Sequence, residues 1–363
     1  MNARIVVGAN LGDEGKGTVV AHNVKNCVGS TLVVLTNGGA QRAHSILTDV
    51  GSMTYQHFGS GTYYGADSYY SSKFILNPMQ FAKEYKQHSR YNVIRTYRDE
   101  MCRWSTPFDM IANTIIEASR GSARHGSCGM GIWETVQRYH NMFNLTLDAF
   151  VNLQHDLQIK QLIRIKKYHE KRITIPDEWK DIWNSTDLLD NFISDCVFLA
   201  NMSIPIKFDM IVKHYDNVIF ENGQGLMLTD RGTDLPGTTP SNTGIADAVE
   251  LLKNIKCDSL TIDYVTRPYL TRHGAGYVSK EQNRISLSQY IDHDRTNHYN
   301  EHQGSFRYGE LDIIDLKERI FTDSYGLNAT INLNVTHCDE MDREAEFKKL
   351  FDNVITYDSA LIK

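Results

Sequence analysis

Residues able to do chemistry appear almost at once: Gly12-Asp13-Glu14-Gly15-Lys16-Gly17 sets three glycines, two carboxylates and a lysine just after the apolar run Ile5-Val6-Val7. A short buried strand, such a loop and a helix opening near Thr18 would aim backbone N–H groups and the positive end of the helix dipole at one point, where a phosphate fits. Gly12, Gly15 and Gly17 let the backbone approach closely. Lys16 supplies a mobile charge for the outer phosphates. The string departs from the Walker loop, because Gly17 stands where that pattern carries Ser or Thr and leaves no hydroxyl there for magnesium. Asp13 is the substitute metal ligand and could also act as a base. The plain alternative is a tight strand-to-helix turn with a solvated lysine.

Further loops repeat this pattern. The apolar run 31–36 ends in Asn37-Gly38-Gly39-Ala40-Gln41-Arg42-Ala43-His44, which puts His44 at the edge of the same region as a catalytic acid or as a structural histidine. The run 217–220 leads into Glu221-Asn222-Gly223-Gln224-Gly225, and the Gln224 amide can both donate to and accept from a purine edge. The polar glycine-rich stretch 120–131 could bind a second phosphate or be a simple surface loop. Ser241, Asn242 or Thr243 would cap a helix over 245–255 and make another anion site. Arg267, Arg272 and the His273-Gly274-Ala275-Gly276 turn follow a strand over 259–265, and 302–309 reads as a mobile loop with one cation, Arg307, at its centre.

The elements that must position these residues are legible as continuous apolar strands ending in glycine-rich loops. The expected fold class is α/β, with a doubly wound, mostly parallel sheet whose ligands gather at the carboxyl ends of the strands. Residues 50–100, rich in Tyr, Ser and Gly, read as strands and turns. The stretch 109–119 reads as a helix. Residues 149–202 are helical too, with Leu153, Leu157, Leu162, Ile163 and Ile165 on one side and Lys160, Lys166, Lys167, Lys171 and Arg172 as a solvated face. No repeat or linker divides the 363 residues, so one elaborated domain over 1–363 is expected. A net charge of -6 argues against a duplex nucleic-acid partner. No apolar run suits a membrane span, and no secretory signal is read before the first strand. The six cysteines show no metal spacing and read as free thiols, which with the rest suggests a cytoplasmic protein.

In their order along the chain, the segments 12–17, 38–44, 220–225, 241–243 and 272–276 resemble adenylosuccinate synthetases over essentially the whole length, and so imply that family's variant of the P-loop-like fold. The resemblance implies a C–N ligase in which a nucleotide γ-phosphoryl group moves to the purine 6-oxygen and the amino group of L-aspartate then displaces it. It implies Asp13, Lys16, His44 and Gln224 as the catalytic set. Gly12, Glu14, Gly15, Gly17 and Thr18 would hold the nucleotide phosphates. Mg²⁺ would be held by Asp13 and Ala43, the latter offering only main-chain oxygen. Gln41, Ser127, Cys128, Thr239, Gly274 and Gln224 would hold the purine monophosphate, with Arg138 reaching the site of a neighbouring subunit in a homodimer. Arg272, Gln303, Gly304, Ser305 and Arg307 would hold aspartate.

Asn332 and Asn334 stand where the family reads guanine with Lys and Asp. An Asn suits adenine, so ATP or dATP would replace GTP. With the short chain and reduced aspartate loop, that is similar to the viral branch, which joins aspartate to dGMP and makes the precursor of 2-aminoadenine for phage DNA. The alternative is ordinary action on IMP.

Overall fold

The computed structural model describes residues 1–229, 237–287, 299 and 302–358. Its centre is a parallel sheet of nine strands: β1 (Asn2–Gly8), β2 (Thr31–Leu35), β3 (Asp67–Tyr70), β4 (Thr96–Arg98), β5 (Ser203–Pro205), β6 (Asn217–Gly225), β7 (Ser259–Thr266), β8 (Thr330–Val335) and β9 (Val354–Thr356). The spatial order is β9-β8-β7-β1-β6-β2-β3-β4-β5, and every neighbouring pair is parallel. The chain winds outward from β1 to β5, returns to place β6 against β1, and then winds out the other way. The carboxyl ends of β1, β2, β6, β7 and β8 therefore surround one crevice.

Alternate side chains of these strands enter two cores, as the two-residue period of a strand requires. Val6, Val33, Leu35, Ile219 and Val265 face one side with helix α1 (Lys16–Asn26), and Ile5, Val7, Leu32, Val34, Phe220 and Tyr264 face the other. Burial on both faces explains why the strands read as unbroken apolar runs.

The structure corrects several local expectations. The segment 50–100 contains helix α2 (Pro78–His88), started by Asn77, whose side chain accepts the N–H of Gln80, and by Pro78. An Asn-Pro helix start was the overlooked signal. The helix expected over 245–255 is Ala246–Leu252 and has no side-chain cap, because Asn242 accepts from Gly244 in the preceding turn. The stretch 302–309 ends in a strand, Arg307–Gly309, paired with Leu270–Arg272 and Glu281–Gln282. In helix His155–Glu170 the buried side chains are Gln158, Leu162, Ile165 and His169, whereas Leu157 and Ile163 are exposed. The six cysteines are unpaired, and no described helix is long and apolar enough to cross a membrane.

Candidate active site

The helix after the first loop begins at Lys16, two residues earlier than expected, so the main-chain N–H groups of Lys16, Gly17 and Thr18 belong to its first turn and have no partner within the helix. The loop is folded around Glu14. One carboxylate oxygen accepts the N–H groups of Asn10 at 3.0 Å and Gly12 at 2.8 Å, and the other lies 2.9 Å from Lys16 Nζ. Both side chains are buried, so the loop's cradle is closed over its own carboxylate. The same arrangement recurs at 120–131, where the Glu117 carboxylate accepts the N–H groups of Gly126 at 2.9 Å and Ser127 at 3.3 Å.

Asp13 has a left-handed backbone at φ 59°, and Arg267 Nε donates to its carbonyl at 2.7 Å. Burial raises the Asp13 carboxyl above the usual range, opposed by the charges of His273, Lys16 and Arg267 and assisted by Glu14. A carboxylate raised by burial yet ringed by cations suits a base that must both take and hold a proton.

Gly17 lets the second loop come close: a Cβ there would lie 2.9 Å from His44 Cβ and 3.0 Å from Ser60 Oγ. His44 opens the hairpin 44–48/51–55, and its Nδ1 lies 2.5 Å from Glu221 Oε1 in the middle of β6. Burial and then Arg42 lower the His44 ring to about 4, against the opposite pull of Glu221. Glu221 falls to about 2: desolvation would raise it, but Arg42, His44 and Ser60 more than offset that.

Gln41 and Gln224 converge beneath Gly38. A Cβ on Gly38 would lie 3.0 Å from Gln41 Nε2 and 3.1 Å from Gln224 Oε1. Gln224 has φ 29°, and its buried Oε1, like both amide atoms of Gln41, has no hydrogen-bond partner. Buried amides without partners are costly, so this pair marks a place built for a polar ligand.

The remaining expected residues fall into three groups. Ser127, Cys128, Gly274 and Gln303 are brought together: Gln303 Nε2 donates to Gly126 O at 3.1 Å, Gln303 O accepts from Gly274, and Gly126 packs on Gly274. Ser127 Oγ bonds Asn113, burial pushes the Cys128 thiol up, and Thr239 is pinned to the 226–229 turn through Leu228 O. Arg272 and Arg307, cross-strand partners, donate to the carbonyls of Ala275 and Tyr277 and of Gly274 and Gly276 respectively, so they brace the 273–277 turn; Arg307 also pairs with Glu281. Gly304 has an open left-handed backbone, and Ser305 follows it in the same turn.

Two further groups of expected residues are tied to partners within the chain. Arg138 does not reach outward. It is fully buried, 2.9 Å from Asp109, and donates to Trp104 O and Asn144; His169 closes the cluster on Asp109. In the single chain this guanidinium neutralises a core carboxylate. Asn332 and Asn334 are both tied to Asp263. Their amides donate to Asp263 at 2.9 and 3.1 Å, and Tyr357 donates to Asn334 Oδ1 at 3.0 Å. Sequence reasoning assigned no role to Glu221, Arg42, Arg267 and His273; a carboxylate at a strand end and cations flanking glycine turns were the available signals.

Among the described residues no group of three or more His, Cys, Asp and Glu could hold a metal. Mg²⁺ is commonly held by one or two carboxylates with nucleotide phosphates supplying the rest, and Asp13 in the first loop is a carboxylate of that kind.

A family model described as adenylosuccinate synthetase matches residues 5–350. The chain belongs to the adenylosuccinate synthetase family. It is therefore a member of a family of C–N ligases. Curated adenylosuccinate synthetases share 26% identity over 360 residues in Hamiltonella defensa, covering 93% of this chain and 76% of that one, and 26% over 291 residues in Lactobacillus acidophilus, covering 76% and 64%. In the Lactobacillus relative the matched region is thus just under two thirds of the protein. The fold matches a fully ligated adenylosuccinate synthetase from Plasmodium falciparum at TM-score 0.71, with 20% identity, over 92% of this chain and 77% of that one. It also matches the succinoaminodeoxyadenylate synthetase PurZ of cyanophage S-2L, solved with dGMP and dATP as energy donor, at TM-score 0.64, with 11% identity, over 98% and 91%.

Proposed function

We propose that this protein joins L-aspartate to the 6-position of a 6-oxopurine nucleoside monophosphate, using a nucleoside triphosphate. The observation that carries this reading is the meeting of Asp13, Lys16, His44 and the unpartnered amides of Gln41 and Gln224 at the carboxyl ends of β1, β2 and β6.

Asp13 takes the N1 proton of the purine, which makes the 6-oxygen nucleophilic. That oxygen bonds the γ-phosphorus as the bond to the departing diphosphate breaks. The aspartate amino group then attacks C6 and phosphate leaves. Gln224 and Gln41 orient the purine edge. Lys16, released from Glu14, and the first-turn N–H groups hold the phosphates, and His44 faces the transferring group through Nε2. Asp13 and the main-chain oxygen of Ala43 would hold Mg²⁺, which would supply charge neutralisation at the phosphates. Arg272 and Arg307 hold the turn against which the two aspartate carboxylates are neutralised.

Family membership favours IMP as the purine, giving adenylosuccinate. A second reading, dGMP with ATP or dATP in a route to 2-aminoadenine, draws on the length match: in structural superposition this chain covers 91% of the cyanophage enzyme but 77% of the Plasmodium one. Mass spectrometry of products from IMP and from dGMP, each with aspartate, Mg²⁺ and ATP, dATP or GTP, decides between them. No succinylated product from either purine would overturn the ligase reading.

A further inference from the structure

Strand β6 carries at its middle a feature that the proposed chemistry leaves unused. Glu221 is wholly buried and gathers three separate segments. Arg42 Nη2 lies 2.6 Å from its Oε1, Ser60 N–H donates to Oε2 at 2.9 Å and the Ser60 hydroxyl donates to Oε1, and His44 Nδ1 sits 2.5 Å from Oε1. A ring nitrogen and a carboxylate oxygen at that separation must share a proton, since two bare acceptors would repel. Glu221, held ionised by Arg42, is the acceptor, so the proton is on Nδ1. Arg42 Nη2 also lies 3.1 Å from Nδ1, but it cannot donate to a nitrogen already bearing hydrogen, and its hydrogen goes to Glu221. His44 packs on the first turn of α1, where a Cβ on Gly17 would lie 2.9 Å from His44 Cβ, and the charge of Lys16 acts on its ring.

Resting on the ligase reading above, we propose that Glu221, neutralised by Arg42 and steadied by Ser60, is a positioning residue for His44: it holds the Nδ1 hydrogen and so leaves Nε2 as the nitrogen that takes up a proton and donates it to the transferring group. Without that restraint the ring could take either tautomer and either flip, and Nε2 would meet the transferring oxygens only part of the time. Three segments meet on this one carboxylate, so the loop 37–44, the 59–62 turn and β6 are set in register by the same contact that sets the ring.

Two readouts test this. The first needs no substrate: long-range ¹H–¹⁵N correlation of the ¹⁵N-histidine-labelled wild-type protein, with His44 assigned by its loss in His44→Gln, should show Nδ1 protonated. An Nε2–H tautomer overturns the proposal even if the protein is a ligase. The second is kinetic. Glu221→Gln keeps the shape but can donate as well as accept, so it no longer dictates the tautomer; kcat should fall about 10-fold or more, with KM for the purine monophosphate within about 3-fold. Wild-type kcat in that variant, or a KM that rises in step with the loss, overturns the assignment. If Glu221→Gln does not fold, Ser60→Ala is the substitute, expected to give a smaller fall in kcat at unchanged KM, and an unchanged kcat there also counts against the proposal. Absence of any ligation by the wild-type protein would defeat the ligase reading and leave the tautomer result to stand or fall by itself.

Discussion

Lys16 Nζ lies 2.9 Å from the Glu14 carboxylate, and that same carboxylate accepts the N–H groups of Asn10 and Gly12. The phosphate cradle thus carries an internal anion that an incoming phosphate must displace. Lys16→Gln should lower kcat/KM for the nucleoside triphosphate by about 10²–10³-fold, since it removes the charge that compensates the transferring group. Steady-state kinetics with the triphosphate varied checks this.

Arg138→Met should lower stability by about 3 kcal/mol in urea unfolding, because the buried Asp109 would keep only His169 and Thr106 as partners. Mixing this variant with an inactive Asp13→Asn protein should restore no activity, whereas an arginine acting across subunits would.

Gly38→Ala adds a Cβ 3.0 Å from Gln41 Nε2 and 3.1 Å from Gln224 Oε1, at φ 73°. Displacing those amides should cut kcat/KM for the purine monophosphate by about 10–10²-fold. The thermal midpoint should fall by only a few degrees, as measured by calorimetry, because the backbone penalty is about 1–2 kcal/mol.

Asn334→Asp would set a second carboxylate against Asp263, whose Oδ1 now accepts from Asn334 Nδ2 at 3.1 Å. Stability should drop by about 2–4 kcal/mol, and the ratio of rates with ATP and GTP should stay as in the wild type. A switch towards GTP would mean that Asn334 reads the base after all.

His57 is buried, accepts the Asn77 N–H at 2.7 Å through Nε2, and is lowered to about 3 by burial and by Arg42. The folded chain refuses a proton that the unfolded chain accepts below pH 6.5. Its contribution is therefore complete above pH 6.5 and is lost as pH falls towards 3, at roughly 1.4 kcal/mol per pH unit. His57→Gln, which keeps an acceptor, should flatten the stability curve in that window; equal slopes in both proteins would contradict the assignment.

The sequence by itself determined the parallel α/β class and the loop at 12–17. Strands buried on both faces must be apolar throughout, and a close-approach phosphate loop must be glycine-rich, so both leave local marks. The helix at Pro78–His88 was hidden because its polar residues mask its buried stripe, although Asn77-Pro78 signals its start. What only the tertiary structure decided was the direction in which each polar side chain turns. Arg138 and Asn334 occupy positions that looked functional, yet Asp109 and Asp263, distant in sequence, draw them inward. Glu221, which sequence left without a role, became central because Arg42, His44 and Ser60 reach it from other segments. A buried charge takes whatever partner the fold delivers, and that choice is made by packing across the chain and leaves no local pattern to read.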